Sequence, residues 1–116
     1  MENLAFTEKR TYPRFNVSIP LSCFDLNSDK KINAQSHDIS TEGLGIIVVK
    51  PIPVGAELDI CIHMLDNGEK IYRKGKVVWS NEIDSGSYRI GIRLEEQKLD
   101  PVPLVLRTIM AQKDYY

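Results

Sequence analysis

The sequence predicts an all-β fold, a small antiparallel barrel or sandwich of six strands, with one helix at the C-terminal end. Two observations carry this prediction. Apolar and polar residues alternate with a period of two through most of the chain, and short turn sequences separate six such segments. No stretch resembles a βαβ unit, an internal repeat or a low-complexity linker. The 116 residues suffice for one domain with a modest core.

The first predicted strand is "RFNVSIPLSCFDL". Pro20 falls on its polar face, which favours a position at the edge of a sheet. The turn "NSDKK" follows, and "INAQSHDIS" reads as a second, weaker strand. The residues predicted to face the core in the first strand are Phe15, Val17, Ile19, Leu21 and Cys23.

Four further strands follow in order. "GLGIIVVK" is mostly apolar and β-branched, and the Pro and Gly residues of "PIPVGAE" end it. "LDICIHML" alternates again, and "DNGE" supplies the Asn-Gly pair of a hairpin. "KIYRKGKVVWS" and "SYRIGIRLE" are the last two strands, joined by the turn "NEIDSG".

The C-terminal segment has helical signals. Asp100 can cap a helix whose first residue is Pro101. Leu104, Val105, Ile109 and Met110 are predicted to share one face, which would lie on the barrel. Pro103 blurs the start, and a frayed extended tail is the alternative.

The composition excludes several classes of function. With 15 basic and 16 acidic residues, the formal charge of −1 gives no general field for a polynucleotide. Cys23 and Cys61 lack the spacing of a zinc site or disulfide framework, so both are predicted to be buried free thiols. The N-terminus does not read as a signal peptide, and no apolar run is long enough to span a bilayer. We therefore expect a cytoplasmic protein without membrane insertion.

Two arginines precede the first strand. Arg10 and Arg14 stand four residues apart in "KRTYPRF", where Pro13 favours an extended loop. Guanidinium groups suit phosphate oxygens and also the O6/N7 edge of guanine, because both present paired acceptors. The alternative for this segment alone is a solvated basic loop.

A short polar sequence, "DISTEG", follows the second strand. Asp38 and Ser40 have period two and are predicted to project from one side of the strand end, with Ile39 on the other. A carboxylate can accept from the N1 and N2 donors of guanine, and Gly43 permits a tight turn or a close backbone approach. The alternative is a polar turn whose side chains bond local amides.

Together these motifs resemble the PilZ domain family. The pattern R-x-x-x-R (Arg10, Arg14) followed by D-x-S-x-x-G (Asp38, Ser40, Gly43) is similar to that of these bacterial receptors for cyclic di-GMP. "VVW" and "YRIGIRL" resemble the family's later strands. The resemblance implies a six-stranded antiparallel β-barrel with a C-terminal α-helix. It divides the chain into a tail (1–8), the barrel with its arginine loop (9–96), and the helix with its tail (97–116).

The resemblance also implies the roles of the site residues. Arg10 and Arg14 would bind phosphates and guanine edges of the ligand, and Asp38 and Ser40 would bind a guanine. Gly43 would let the backbone pass close to the ligand. The arginine loop would close over cyclic di-GMP and so signal to a protein partner, which the sequence does not identify.

Two further residues are candidates for the same site. In this family the position of Lys9 influences whether one ligand or a stacked pair binds, and a charged residue favours the pair. Trp79 could stack on a base, although a tryptophan in a strand is more often part of the core or the barrel rim.

No enzymatic activity is predicted, because the sequence carries no nucleophile elbow, zinc-binding helix or P-loop. His37 and Asp38 are neighbours on a strand, so they are predicted to point to opposite faces and not to form a dyad. No cofactor or metal is expected. The alternatives to a cyclic di-GMP receptor are a nucleotide-independent adaptor with the same fold and a barrel that binds single-stranded nucleic acid. Balanced charge and a single tryptophan disfavour the latter.

Overall fold

The computed structural model of the protein describes residues 12–113. Seven strands precede a single helix in this part of the chain. The strands are β1 (Phe15–Asn16), β2 (Pro20–Asp25), β3 (Lys30–Ile39), β4 (Gly43–Val48), β5 (Glu57–His63), β6 (Lys70–Asp84) and β7 (Ser87–Glu95). The helix is α1 (Pro101–Lys113).

Six of the strands close into an antiparallel barrel. The sheet order is β1-β3-β2-β5-β6-β7-β4, and an additional pairing of β3 with β4 joins its ends. β1 is a two-residue extension that pairs with the end of β3, Phe15 opposite Ile39 and Asn16 opposite Asp38. The predicted six-stranded barrel with a C-terminal helix is confirmed.

The core fills the barrel with aliphatic side chains, because every second residue of each strand points inward. Leu44, Ile46 and Ile90 are completely buried, and burying such a side chain stabilises the fold by about 1.5–3 kcal/mol. The other members of the cluster with at most 2% exposure are Ile19, Cys23, Ile39, Val48, Ile52, Leu58, Ile60, Ile62, Met64, Val77, Ile92 and Leu94.

The first predicted strand is divided in two. Between β1 and β2, the chain is held by Ser36, whose hydroxyl accepts from the Ile19 amide at 2.9 Å and donates to the Val17 carbonyl. Pro20 starts β2, which pairs with both β3 and β5, so its predicted edge position is wrong. Proline is tolerated as the first residue of a strand because no ladder donor is required there.

β6 is longer than predicted. It continues through Asp84, so "NEID" extends the strand instead of forming the turn. The turn contains Gly86, whose φ of +89° is a left-handed conformation that glycine adopts without strain.

A β-bulge interrupts the pairing of β3 with β4. Ser36 pairs with Ile46 and Asp38 pairs with Gly45, which leaves His37 as an extra residue. Ser36 faces the interior and is 3% exposed. Without the extra residue, Asp38 would face the interior as well, because side chains two apart share a face. The bulge instead places the Asp38 carboxylate on the outer surface of the barrel.

A second bulge, in β6, likewise brings a side chain to the outer surface of the barrel. Val77 pairs with Ile92 and Trp79 pairs with Gly91, which leaves Val78 as an extra residue in β6. Val77 is a core residue with 1% exposure, whereas Trp79 is 38% exposed. The second bulge therefore turns the indole outward.

α1 packs on the barrel with a different face from the one predicted. Leu104, Thr108 and Ala111 are buried, whereas Ile109 and Met110 are 46% and 63% exposed. At about 100° per residue, Ile109 and Met110 lie some 140° and 120° from Leu104 around the helix. Including them in the barrel-facing stripe was therefore wrong. The start at Pro101, directly after Asp100, is as predicted.

The two thiols are both free but differ in burial. Cys23 is completely buried, and this burial raises the pKa of its thiol to about 12. Cys61 is only partly buried on β5, so its predicted full burial is wrong. Within residues 12–113, no helix is both long and apolar enough to cross a bilayer.

Candidate functional site

The outer surface beside the two bulges carries one row of residues across four adjacent strands. Asp38 on β3 pairs with Gly45 on β4, Gly45 pairs with Gly91 on β7, and Gly91 pairs with Trp79 on β6. Paired residues of antiparallel strands lie side by side on one face. The row therefore places two glycines as a floor between a carboxylate and an indole.

Both positions require glycine, because there is no room for a Cβ atom between the backbone and the side chain above it. A Cβ on Gly45 would lie 2.9 Å from Asp38 Oδ1, and a Cβ on Gly91 would lie 2.2 Å from Trp79 Cε2. The carboxylate and the indole thus lie directly over backbone. Gly43 borders the same surface, where a Cβ would lie 2.7 Å from the Ile92 carbonyl oxygen. Gly43 is therefore required by the close approach of β4 to β7, and its predicted approach to a ligand stays a prediction.

Two arginines share the carboxylate of Asp38. Arg14 donates to Oδ1 from Nη2 at 2.7 Å and from Nε at 3.2 Å. Arg89 donates to Oδ2 from Nη2 at 3.1 Å. The Asp38 side chain is 7% exposed, whereas those of Arg14 and Arg89 are 49% and 39% exposed. A nearly buried anion is therefore held between two cations that reach solvent.

His37 also touches this carboxylate. Its Nδ1 lies 3.3 Å from Asp38 Oδ2. The prediction that the two side chains point to opposite faces was wrong, because the bulge at His37 breaks the strict alternation on which it depended.

The pKa of the Asp38 carboxyl lies below its ordinary value. Burial alone raises this pKa, but hydrogen bonds from Arg14, His37 and Arg89 and the charge of Arg14 together outweigh the burial. Asp38 is therefore ionised at neutral pH and acts as a hydrogen-bond acceptor.

Ser40 continues the site beyond the end of β3. Its amide donates to the Gly43 carbonyl at 2.9 Å, which closes the turn between β3 and β4. Its hydroxyl lies 3.4 Å from Arg14 Nη1. As predicted, Asp38 and Ser40 face the same side, and in this structure both are covered by Arg14.

Arg89 connects the carboxylate to the indole. The centre of its guanidinium lies 5.9 Å from the centroid of the Trp79 ring, within the range of a cation–π contact. Its Nε is buried and has no hydrogen-bond partner. Arg89 thus holds Asp38 and Trp79 in a fixed relation and keeps one donor unused.

These groups border one cavity of about 630 Å³, within the range of small-molecule sites. The predicted residues that line it are Arg14, Asp38, Ser40, Gly43 and Trp79. The unpredicted ones include Tyr12, Glu42, Arg89, Gly91 and Arg93. Predicted residues Lys9 and Arg10 lie outside the described part of the chain.

A signal for the missed arginines was present in the sequence. Arg89, Gly91 and Arg93 alternate in "YRIGIRL", so they share the outer face of one strand. The cavity is lined by three arginines and two acidic residues, which suits an anionic ligand with hydrogen-bond donors of its own. Among residues 12–113, no group of three or more His, Cys, Asp or Glu side chains is placed to hold a metal ion.

Comparison with known proteins identifies the family. The chain matches the family described as PilZ domain over residues 8–107, which confirms the resemblance seen in the sequence. No curated protein sequence matches it. Solved structures with a similar fold include three at 13–18% sequence identity, and identity this low bears on the fold alone.

The first of these structures is the inhibitor of motility MotI/DgrA of Bacillus subtilis, with a TM-score of 0.67, 18% identity and 90% of this chain covered. The chain spans about half of that protein, 52% of its length. The PilZ domain of YcgR from Escherichia coli, solved with c-di-GMP, has a TM-score of 0.63 and 18% identity, covering 92% of this chain and 93% of that one. The PilZ domain of CeSA from a cellulose-synthesising bacterium has a TM-score of 0.57 and 13% identity, covering 90% and 99%.

Gly91→Ala is expected to displace the Trp79 ring, since the added methyl overlaps it. We predict destabilisation by roughly 1–3 kcal/mol, the usual cost of overpacking, and a shift in fluorescence emission from this single tryptophan. In a Trp79→Ala background the same substitution should cost far less. Equal costs in the two backgrounds, measured by urea unfolding, would show that the ring does not rest on Gly91.

Asp38→Asn is expected to destabilise the protein by about 1–3 kcal/mol at pH 7, because it removes a hydrogen-bonded charge from between two arginines. Since the pKa of Asp38 is lowered by folding, its contribution is complete above the unfolded value of about 3.9 and is lost as the pH falls through the folded value. The difference between wild type and variant should therefore be constant from about pH 5 to 7 and shrink below about pH 4.

Denaturant unfolding at several pH values measures this difference. Asp59→Asn is the matched control, because Asp59 pairs with Lys74 on an exposed part of the barrel. The control should show a much smaller effect. A stability difference for Asp38→Asn that does not change between pH 3 and 7 would contradict the ionised state of Asp38.

Proposed function

The chain belongs to the PilZ domain family, and on this basis we propose that it is a receptor for cyclic di-GMP that signals its bound state to a protein partner. The observation that carries the proposal is the cluster of Arg14, Arg89, Asp38 and Trp79 around one cavity. Each chemical feature of the ligand finds a counterpart there: anionic phosphates, guanine edges and flat purine faces.

The arginines suit the phosphates and the guanine O6/N7 edge. Arg14 is half exposed and presents its guanidinium to the cavity. Arg10 lies four residues before it and is proposed to act with it, as the R-x-x-x-R motif implies. A guanidinium binds such paired acceptors with two parallel hydrogen bonds, which gives geometric specificity as well as affinity.

The carboxylate of Asp38 suits the other edge of guanine. Because it is ionised, it can accept from the N1 and N2 donors of the base, and the Ser40 hydroxyl lies on the same side to bond an adjacent polar group. The Trp79 indole is partly exposed at the far side of the glycine floor and can stack on a purine.

Ligand binding at this site requires an exchange of partners. In the structure, Arg14 covers both Oδ1 of Asp38 and the Ser40 hydroxyl, the acceptors that a guanine would use. Guanine donors would replace Arg14 there, and Arg14 would turn to the ligand's acceptors. The lost and gained bonds are charge-assisted and of similar strength, about 1.5–3 kcal/mol each, so the exchange need not be costly.

The exchange supplies the proposed signal. Arg14 stands directly before β1, which is attached to the barrel through only two residue pairs. Movement of Arg14 towards the ligand would therefore move the chain that precedes the barrel, where Lys9 and Arg10 lie. The ligand would shift the population of N-terminal conformations because it interacts more strongly with one of them.

Similarity of fold also supports this proposal. The PilZ domain of YcgR, solved with c-di-GMP, aligns with 92% of this chain. The name of the Bacillus protein MotI, an inhibitor of motility, makes control of motility one candidate output. For this chain we propose receptor or adaptor activity without catalysis, whatever process it controls.

A nucleotide-independent adaptor is the second candidate. One observation favours it: Arg14 and Arg89 each bond one oxygen of the Asp38 carboxylate, so the carboxylate has partners within the protein itself. Such an internal network could be a structural feature of the barrel and nothing more. The two candidates differ in whether Arg14 leaves Asp38 for a nucleotide.

We predict that the protein binds cyclic di-GMP in calorimetric titration and binds neither GTP nor the linear dinucleotide. Arg14→Ala and Arg89→Gln should each weaken binding by about 10- to 100-fold, because each removes a charged hydrogen-bonding group worth about 1.5–3 kcal/mol. The stoichiometry will show whether one ligand or a stacked pair binds.

Arg73→Ala is the matched control, since Arg73 bonds the Lys98 carbonyl and does not line the cavity. It should leave the affinity unchanged. Absence of heat and of thermal stabilisation with cyclic di-GMP, in a folded wild-type protein, would overturn the receptor proposal and favour the adaptor.

A further inference from the structure

Arg93 differs from the other two arginines that border the cavity. Arg14 and Arg89 both donate to the carboxylate of Asp38. Arg93 lines the same cavity and is exposed, and within residues 12–113 it forms no ion pair. Among the described residues that line the cavity, it is therefore the arginine whose guanidinium is not held by a carboxylate.

The register of the sheet places Arg93 at one end of the glycine floor. Arg93 follows Gly91 by two residues on β7, so it shares the outer face and lies about 7 Å further along the strand. Its partner on β4 is Gly43, which has no side chain to cover the surface beside it. The uncovered surface over Gly45 and Gly91 thus continues as far as the guanidinium of Arg93.

A second cation stands on the other side of Arg93. Lys76 of β6 is its partner in the antiparallel pairing with β7. Paired residues on one face of a sheet have Cβ atoms about 5 Å apart, and like charges directly opposite each other destabilise the sheet. Within residues 12–113 Lys76 forms no ion pair either. Two adjacent cations without a bound carboxylate form a local positive field that attracts an anion.

The acidic residues at this end of the cavity do not neutralise the pair. Glu42 lines the cavity, but its Oε2 lies 3.9 Å from Nζ of Lys98. Glu57 pairs with Lys76 on its other side, in β5, and is exposed. An anion at Arg93 therefore meets one unpaired guanidinium with a lysine behind it.

We propose that Arg93, supported by Lys76, binds one phosphate of a cyclic dinucleotide whose guanine lies on the glycine floor. This inference rests on the proposed function. A guanidinium binds two oxygens of a phosphate with parallel hydrogen bonds, and the lysine adds a point charge nearby. Because Arg93 gives up no carboxylate, its contact with the ligand needs no exchange of ion-pair partners, in contrast to that of Arg14.

The proposal separates two roles within the site. Asp38 would select guanine, because it accepts from the donors of the base. Arg93 would contribute affinity through the phosphate and would hold the ligand while Arg14 leaves Asp38. Loss of Arg93 should therefore weaken binding without changing how Asp38 and Arg14 respond to the ligand.

Calorimetric titration of the full chain with cyclic di-GMP tests the proposal. Arg93→Gln should weaken binding about 5- to 20-fold at low salt, since it removes a charged hydrogen-bonding group. Lys76→Gln should weaken it about 2- to 5-fold, and both losses should shrink between about 50 and 500 mM NaCl, because salt screens exposed charges. Lys70→Gln is the matched control. It removes the same charge from the same face of β6, about 20 Å from Lys76, outside the cavity, and should leave the affinity unchanged.

Two further measurements separate a ligand contact from a structural role. In urea unfolding without ligand, Arg93→Gln and Lys76→Gln should be at least as stable as wild type, because each relieves a like-charge repulsion. In phosphorus NMR of the bound ligand, Arg93→Gln should shift the signal of one phosphate more than that of the other.

The outcomes distinguish this inference from the receptor proposal. Tight binding by wild type with an equal affinity for Arg93→Gln, or a loss no larger than that of Lys70→Gln, would overturn the role of Arg93 and leave the receptor in place. Lower stability of Arg93→Gln without ligand would assign Arg93 to the fold and also overturn its role. Absence of binding by wild type would overturn the receptor proposal, and this inference with it.

Discussion

The carboxylate of Asp38 is the group on which the rest of the site depends. It is nearly buried, and it carries a full negative charge because Arg14 and Arg89 each bond one of its oxygens. Removing either arginine would leave that charge undercompensated, and removing Asp38 would leave two guanidinium groups side by side. The carboxylate therefore determines where both arginines lie and, through Arg89, where the guanidinium meets the Trp79 ring.

This arrangement depends in turn on backbone geometry. The bulges at His37 and Val78 each add one residue to a strand, which brings Asp38 and Trp79 to the outer surface although their strands otherwise alternate towards the core. Gly45 and Gly91 then leave room for these side chains to lie on the sheet. Without these four features, the same residue types would not lie together on one outer surface of the barrel.

Much of this fold could be predicted from the sequence, because strands with one buried face show period two and turns carry Gly, Pro and Asn. Asp38, Ser40 and Arg14 were found through their motif. The bulges could not be predicted, because one extra residue reverses which side chains of a strand face the core and leaves no mark in the composition. The wrong prediction that His37 and Asp38 point to opposite faces followed from this. Arg89 was missed because "YRIGIRL" was interpreted only as a strand and the outward alternation of Arg89 with Gly91 and Arg93 was not used. The exposure of Ile109 and Met110 was missed because α1 has apolar residues on more than one side.

The proposal depends most directly on Arg14 exchanging Asp38 for a cyclic dinucleotide. NMR spectra of the arginine Nε–Hε groups, recorded during titration with cyclic di-GMP, test it most directly. The Arg14 signal should move strongly and the Arg89 signal should move less, while those of Arg73 and Arg107, outside the cavity, should stay in place. Unchanged signals from Arg14 and Arg89 at saturating ligand would contradict the claim and leave the network around Asp38 a purely structural element.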